Sequence, residues 1–138
     1  PKTKHTSVIE FKLVDGGHKG ILHVAEAEKD IPFPVRRTMV ISGVSAEASR
    51  GAHAHKKVDQ VIVPLRGSFL LGIDDGETKQ EIVMDNPALG IRLLPKLWHT
   101  MSNFSPDAVV LVFCDQHHDE AEYLRDYEDF LDYIRNNP

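Results

Sequence analysis

Residues 50–67, RGAHAHKKVDQVIVPLRG, constrain this chain more than any other stretch. Two histidines one residue apart, His53 and His55, lie in a run that otherwise reads as β-strand. Successive strand side chains point to opposite faces, so residues two apart share a face. The two imidazoles therefore project together, either into a barrel interior or out to solvent. Beyond them Val61, Val63 and Leu65 fall on one side, Ile62 and Arg66 fall on the other, and Gly67 closes the run.

The rest of the chain has the same texture of short apolar runs broken by turns. In residues 7–14, Ile9, Phe11 and Leu13 alternate with Glu10 and Lys12, the pattern of a half-buried strand. DGGHKG (15–20) is a turn, residues 21–27 read as a second strand, and IPFP (31–34) is extended because of its prolines. Strands follow at 36–42, 68–73, 79–85 and 88–94, with DDGE (74–77) a hairpin turn. AVVLVFC (108–114) is a continuous apolar run suited to the centre of a sheet. The texture changes only at 119–136, where Leu124, Tyr127, Leu131 and Ile134 recur at helical spacing, with Asp119 and Glu122 as a capping arrangement. About eight short strands and one terminal helix predict an all-β fold, an antiparallel jelly-roll barrel with a C-terminal α-helix.

With 138 residues the chain reads as a single domain, long enough to bury a core. No apolar run has the length of a membrane helix. The N-terminus lacks the apolar segment of a secretory signal, and Cys114 is the sole cysteine, which leaves a cytoplasmic address as the expectation. Pro1 in place of Met is compatible with a domain excised from a longer polypeptide. A net charge of −5 argues against nucleic acid as the main partner. The charge is uneven: residues 36–96 carry nine Lys and Arg against seven Asp and Glu, whereas residues 115–138 carry two against eight. The middle section suits a small anionic ligand, while the acidic tail reads as a solvated helix. Tyr123, Tyr127 and Tyr133 on that helix read as packing or interface residues, and Cys114 as a small core residue.

A third histidine, His99, follows Trp98 in PKLWHTMSN. Three uses of His53, His55 and His99 compete. They are ordinary hydrogen-bonded polar residues; or they supply three nitrogen ligands to Zn, Fe or Mn; or they perform metal-free acid–base chemistry, for which an imidazole with its ordinary pKa near ~6.5 is suited. The metal reading lacks the expected carboxylate, because Gln60 occupies its position and Asp59 lies on the opposite face. Arginines and lysines nearby would hold a diphosphate, arginine by paired contacts.

The His-x-His, Gln60 and Gly67 spacing, with His99 and Asn103 further on, resembles the signature motifs of the cupin superfamily. Within it the chain resembles the sugar nucleotide 3,4-ketoisomerases acting on dTDP-4-keto-6-deoxyglucose. The stretches that carry the match are IPFPVRR, RGAHAHKKVDQVIVPLRGSFLLGIDDG, LLPKLWHTMSNFSPDAVVLVF and DEAEYLRDYEDFLDYI, in the family's order and spacing. The resemblance implies a single cupin jelly roll, a homodimer that exchanges strand contacts, a dTDP-sugar in the barrel mouth, and no cofactor or required metal. It implies His53 as the leading base, His55 as companion acid/base or orienting group, and Arg37 with Arg50 as diphosphate or ketone ligands. His99 would line the same pocket. Lys19, Arg92, Lys56 and Trp98 complete the expected substrate-binding set. Trp98 has core packing, and the Lys56–Lys57 pair a solvated strand edge, as the ordinary alternative.

The chain also departs from the family pattern. Met39 stands where a tyrosine is usual and removes a candidate proton donor. Lys19 replaces the arginine of an early turn, Arg92 replaces a tyrosine, and His117 and His118 replace two aromatics. Two functional classes follow: a 3,4-ketoisomerase, with the chain allowed as one part of a longer bifunctional enzyme carrying a fused acyltransferase domain, or a nucleotide-sugar-binding module without isomerase activity that serves such a domain. An epimerase would want a His paired with a buried Asp and a facing Tyr, a set the sequence does not identify.

Overall fold

The computed structural model describes residues 3–138. Along the chain run β1 (Thr6–Glu10), β2 (Lys12–Asp15), β3 (Ile21–Val24), β4 (Arg37–Ser42), β5 (Arg50–His55) and β6 (Gln60–Arg66). They are followed by β7 (Phe69–Asp74), β8 (Lys79–Met84), β9 (Leu89–Leu93), β10 (Trp98–Ser102), β11 (Val109–Cys114), β12 (Tyr123–Leu124) and the helix α1 (Tyr127–Asn136). One five-stranded sheet has the order β1-β9-β6-β11-β4, a second β12-β5-β10-β7-β8, and β2 pairs with β3 as a separate hairpin. All the ladders are antiparallel.

The core lies between the two larger sheets. Ile62, Ile91, Val110 and Val112 from one sheet meet Phe69, Leu71, Ile73 and Met101 from the other. The parity of β6 follows from its alternation: Ile62 enters this core, while Val61 and Val63 turn outward under Ile31 and Phe33 of the IPFP segment. The expected all-β jelly-roll architecture is therefore present. The strand pairing does not run round into a closed barrel, and β1, β4, β8 and β12 remain as sheet edges.

Local differences from the sequence expectation have physical causes. The strand expected over 7–14 is two strands, because the Phe11 amide donates to the Ala88 carbonyl at 2.8 Å before the chain leaves the sheet. The run 50–67 is likewise two strands in different sheets, β5 and β6, joined by a crossover at 56–59. The turn at 74–77 forms as expected. Asp75 Oδ1 accepts from the amides of Glu77 and Thr78, at 2.8 and 2.7 Å, and Gly76 takes the left-handed conformation.

The helix expected over 119–136 begins only at Tyr127, where Asp126 caps it by accepting from the Asp129 amide at 3.0 Å. Asp119 caps a single 3-10 turn instead, and Tyr123–Leu124 then pair with His55 and Ala54 of β5. Leu124, Tyr127, Leu131 and Ile134 still gather, packing with Phe130, Ala54 and Trp98 on the outer side of the second sheet.

Candidate active site

Antiparallel pairing brings the histidines together. His99 of β10 lies directly opposite His53 of β5, and His55 follows two residues later on the same face. The ring centroids are 4.9 Å apart for His53 and His55, 4.7 Å for His53 and His99, and 5.9 Å for His55 and His99. All three line a cavity of about 370 Å³ between the sheets, within the size range of small-molecule sites. Gly51, in the left-handed conformation, leaves room there for the Met101 methyl and the His53 and His99 rings.

Burial sets the protonation state of the cluster. His53 is half-buried, and desolvation, followed by the neighbouring His55, lowers its pKa to about 3. His99 is fully enclosed, and burial with the two other imidazoles holds it well below its ordinary value. Among the described residues its Nδ1 has no hydrogen-bond partner, and Gln60 Nε2 lies 3.5 Å from its Nε2. His55 is also lowered by burial, but the Glu122 carboxylate opposes that effect through a 2.7 Å contact with Nδ1. All three imidazoles are therefore neutral near pH 7.

Ring nitrogens of the three histidines lie within 4.8 Å of one another, a spacing three imidazole ligands of one cation could adopt. Gln60 is the nearby residue from β6, and a neutral amide is a weak fourth ligand. Asp59 faces away and pairs with Arg92, Nη2 to Oδ2 at 2.6 Å.

Among the other residues singled out in the sequence, Arg50 and Met39 line the cavity. Arg37 does not line it, but stands beside Tyr123 and Cys114 and binds His118 Nδ1 through Nη1 at 3.1 Å. The Nε and Nη2 of Arg37 are buried beside Tyr123 and Cys114. Four residues lie elsewhere. Arg92 is held by Asp59, Lys56 stands 5.7 Å over the Tyr133 ring, and Trp98 packs against Tyr127 and Phe130 beneath α1. Lys19 is exposed in the short 3-10 turn between β2 and β3.

Three residues of the site were hidden in the segment read as helix. Tyr123 on β12 places its ring 5.0 Å from His53 and 4.6 Å from His55. Arg125 lies 4.4 Å over the Tyr123 ring, lines the cavity, and pairs with Glu120 through Nε and Nη2 at 2.6 and 3.1 Å. Glu122 is the carboxylate on His55. A strand at 123–124 sends Tyr123 and Leu124 to opposite faces, one to the histidines and one to the helix cluster. The DEAEYLRDY string was the signal for this arrangement, but its helical spacing gave no hint of a strand.

Chemically, the cavity offers neutral nitrogen bases, a phenol, and guanidinium groups at Arg50 and Arg125 for an anionic ligand. Comparison with known proteins agrees with that chemistry. Residues 4–135 match the family described as "FdtA: WxcM-like, C-terminal". A TDP-4-oxo-6-deoxy-alpha-D-glucose-3,4-oxoisomerase from Aneurinibacillus thermoaerophilus is 43% identical over 128 residues, 92% of this chain and 91% of the relative. The crystal structure of QdtA, a sugar 3,4-ketoisomerase from Thermoanaerobacterium thermosaccharolyticum in complex with TDP, superposes with a TM-score of 0.93 at 30% identity over 97% of each chain. A 3,4-ketoisomerase from Helicobacter canadensis superposes at 0.90 with 32% identity, over 94% of this chain and 97% of that one. With this cavity, and with a family match running through nearly all of its length, the chain belongs to the FdtA-like family of sugar nucleotide 3,4-ketoisomerases.

Proposed function

We propose that this chain converts a dTDP-4-keto-6-deoxyhexose, with dTDP-4-keto-6-deoxyglucose as the first substrate to test, into its 3-keto isomer in deoxysugar biosynthesis. The observation that carries the reading is the convergence of three neutral imidazoles and one phenol on a cavity flanked by Arg50 and Arg125. A base removes the C3 proton, and the C–H electron pair becomes the C3–C4 double bond as the C4 carbonyl oxygen becomes an enediolate. Passage of the O3 proton to O4, with protonation at C4 as the C3–C4 electron pair moves there, then leaves the ketone at C3 and a hydroxyl at C4. No electrons are gained or lost overall, so the reaction requires no external oxidant or reductant.

In this reading His53 takes the C3 proton, His55 is the companion acid/base, and His99 lines the pocket beside them. The neutral state of His53 makes its nitrogen available as a base, and an enediolate nearby would raise its proton affinity as the transfer proceeds. Arg50 and Arg125 bind the diphosphate. Arg37, beside Tyr123 and outside the cavity lining, would support the enediolate oxygen as a nearby positive charge rather than as a direct donor. Tyr123 is the phenol closest to the chemistry, in the same cavity as Met39.

A second reading, a nucleotide-sugar-binding module without isomerase activity, rests on Met39 in the cavity wall in place of the usual tyrosine. We place either activity in the cytoplasm. The chain would act as a homodimer, with a fused acyltransferase domain as a further partner in a longer protein.

Proton NMR of dTDP-4-keto-6-deoxyglucose in deuterated buffer, with the unmodified protein and with His53→Asn, tests the proposal. The expected result is a 3-keto product bearing deuterium at C4 for the unmodified protein and no product for the variant. Binding without product or exchange in the unmodified protein would establish the binding module instead.

A further inference from the structure

Glu122 is nine-tenths buried and uses both carboxylate oxygens. Oε2 is 2.7 Å from His55 Nδ1, while Oε1 accepts from the amide of Val58 at 2.9 Å and from that of Lys57. The Lys56 amide donates to the Glu122 carbonyl at 3.1 Å. The crossover from β5 to β6 is thus wrapped around this one side chain, and its carboxylate cannot rotate without abandoning two backbone donors. An ionised carboxylate only accepts hydrogen bonds, so the nitrogen facing it must carry a proton. Among the described residues, neither His53 nor His99 has a carboxylate partner of this kind.

We infer that Glu122 is a positioning residue that fixes His55 in the Nδ1–H tautomer, leaving the Nε2 lone pair as the proton acceptor presented to the cavity. The inference rests on the isomerase reading for its kinetic consequence, but not for the tautomer itself. A second carboxylate-bearing element orienting an imidazole is the arrangement that lets a histidine accept and return a proton through a single nitrogen. The groups around His55 are consistent with that role. His53 and His99 are neutral, Tyr123 meets the ring by its face or edge, and Arg37 and Arg125 act on it only as more distant positive charges.

Glu122→Gln isolates the effect. The Lys57 and Val58 amides need an acceptor, so the glutamine carbonyl oxygen stays with them and its NH2 turns towards His55. His55 Nδ1 must then accept, and the proton moves to Nε2, where it blocks the lone pair. In 15N-resolved NMR of the full chain without substrate, His55 is expected as the Nδ1–H form in the unmodified protein and as the Nε2–H form in Glu122→Gln. The same variant is expected to lose about 100-fold in kcat with KM within about threefold of the unmodified value. Glu122→Asp, which keeps the charge but retreats by one methylene, is expected to recover part of kcat together with the Nδ1–H signal.

The inference is overturned by an Nε2–H His55 in the unmodified protein, by a tautomer that does not change in Glu122→Gln, or by a changed tautomer with unchanged kcat. Should Glu122→Gln not fold, the unmodified tautomer and the kcat of Glu122→Asp decide the matter: an Nε2–H signal or an undiminished rate overturns it. An unmodified protein that shows no turnover would instead defeat the isomerase reading and leave the tautomer result standing.

Discussion

His53 sits 4.7 Å from one imidazole and 4.9 Å from another, so a proton on it meets both a low-dielectric setting and two rings that would rather remain neutral. Its pKa in the folded chain, about 3, lies far below the 6.5 of an unconstrained histidine. Between those values the unfolded chain binds the proton and the folded chain does not, so stability rises with pH across that window. The contribution is fully present above pH 6.5 and is lost as pH falls towards 3. His53 alone should make the protein about 1–2 kcal/mol less stable at pH 5 than at pH 6.5. Burial of His55 and His99 acts in the same direction. Urea denaturation at the two pH values, for the unmodified protein and for His53→Asn, measures the difference. The variant should show a visibly smaller decline; equal declines would mean that His53 is solvated and titrates as in the unfolded chain.

At the scale of elements, alternation and turn chemistry made most of the fold legible. The 108–114 run is an interior strand, β11, flanked by β6 and β4, and the common face of His53 and His55 is the inner one. The segments that were not legible depend on partners distant in sequence. The break after His55 becomes favourable only because Glu122, 64 or more residues away, accepts from the amides of Lys57 and Val58. Tyr123 and Leu124 have spacing that suits a helix as well as a strand, and pairing with β5 decides for the strand. Arg92 and Trp98 carry chemistry that suits a nucleotide sugar, yet a one-residue change of strand parity sends them outward, to Asp59 and to the helix.

Gly67, expected to close the strand, does so at a specific cost to any other residue. Its φ is +67°, and an added Cβ would lie 2.2 Å from Ser105 Oγ and 2.9 Å from the Ala108 backbone. Gly67→Ala should therefore lower stability by about 2 kcal/mol or more. The turn is not part of the cavity lining, so turnover of the remaining folded protein should be unchanged. A variant as stable as the unmodified chain would show that the β6–β7 turn adjusts freely.

At the scale of the whole molecule, the β2–β3 hairpin is out of proportion to its own support. Its strands pair only with each other among the described residues, yet it presents Val14, Ile21 and Leu22 at 40%, 58% and 62% exposure. The edge strand β4 carries Val40 at 63%, and β1 carries Val8 at 49%. A two-stranded hairpin is marginal in water by itself, and an apolar hairpin beside an open sheet edge is the form that strand exchange between two copies would take. A partner's hairpin would also explain the position of Lys19 at the hairpin turn, outside its own cavity: it would serve the cavity of the other copy. On this argument the chain is expected to sediment as a dimer, and Ile21→Lys with Leu22→Lys to shift it towards monomer. Lys19→Ala should leave the dimer intact and weaken dTDP-sugar binding, measured by calorimetry. A double variant that remains dimeric would move the interface elsewhere, to the Val8 or Val40 edges. A monomeric unmodified chain would end the strand-exchange proposal and leave Lys19 as a solvated turn residue.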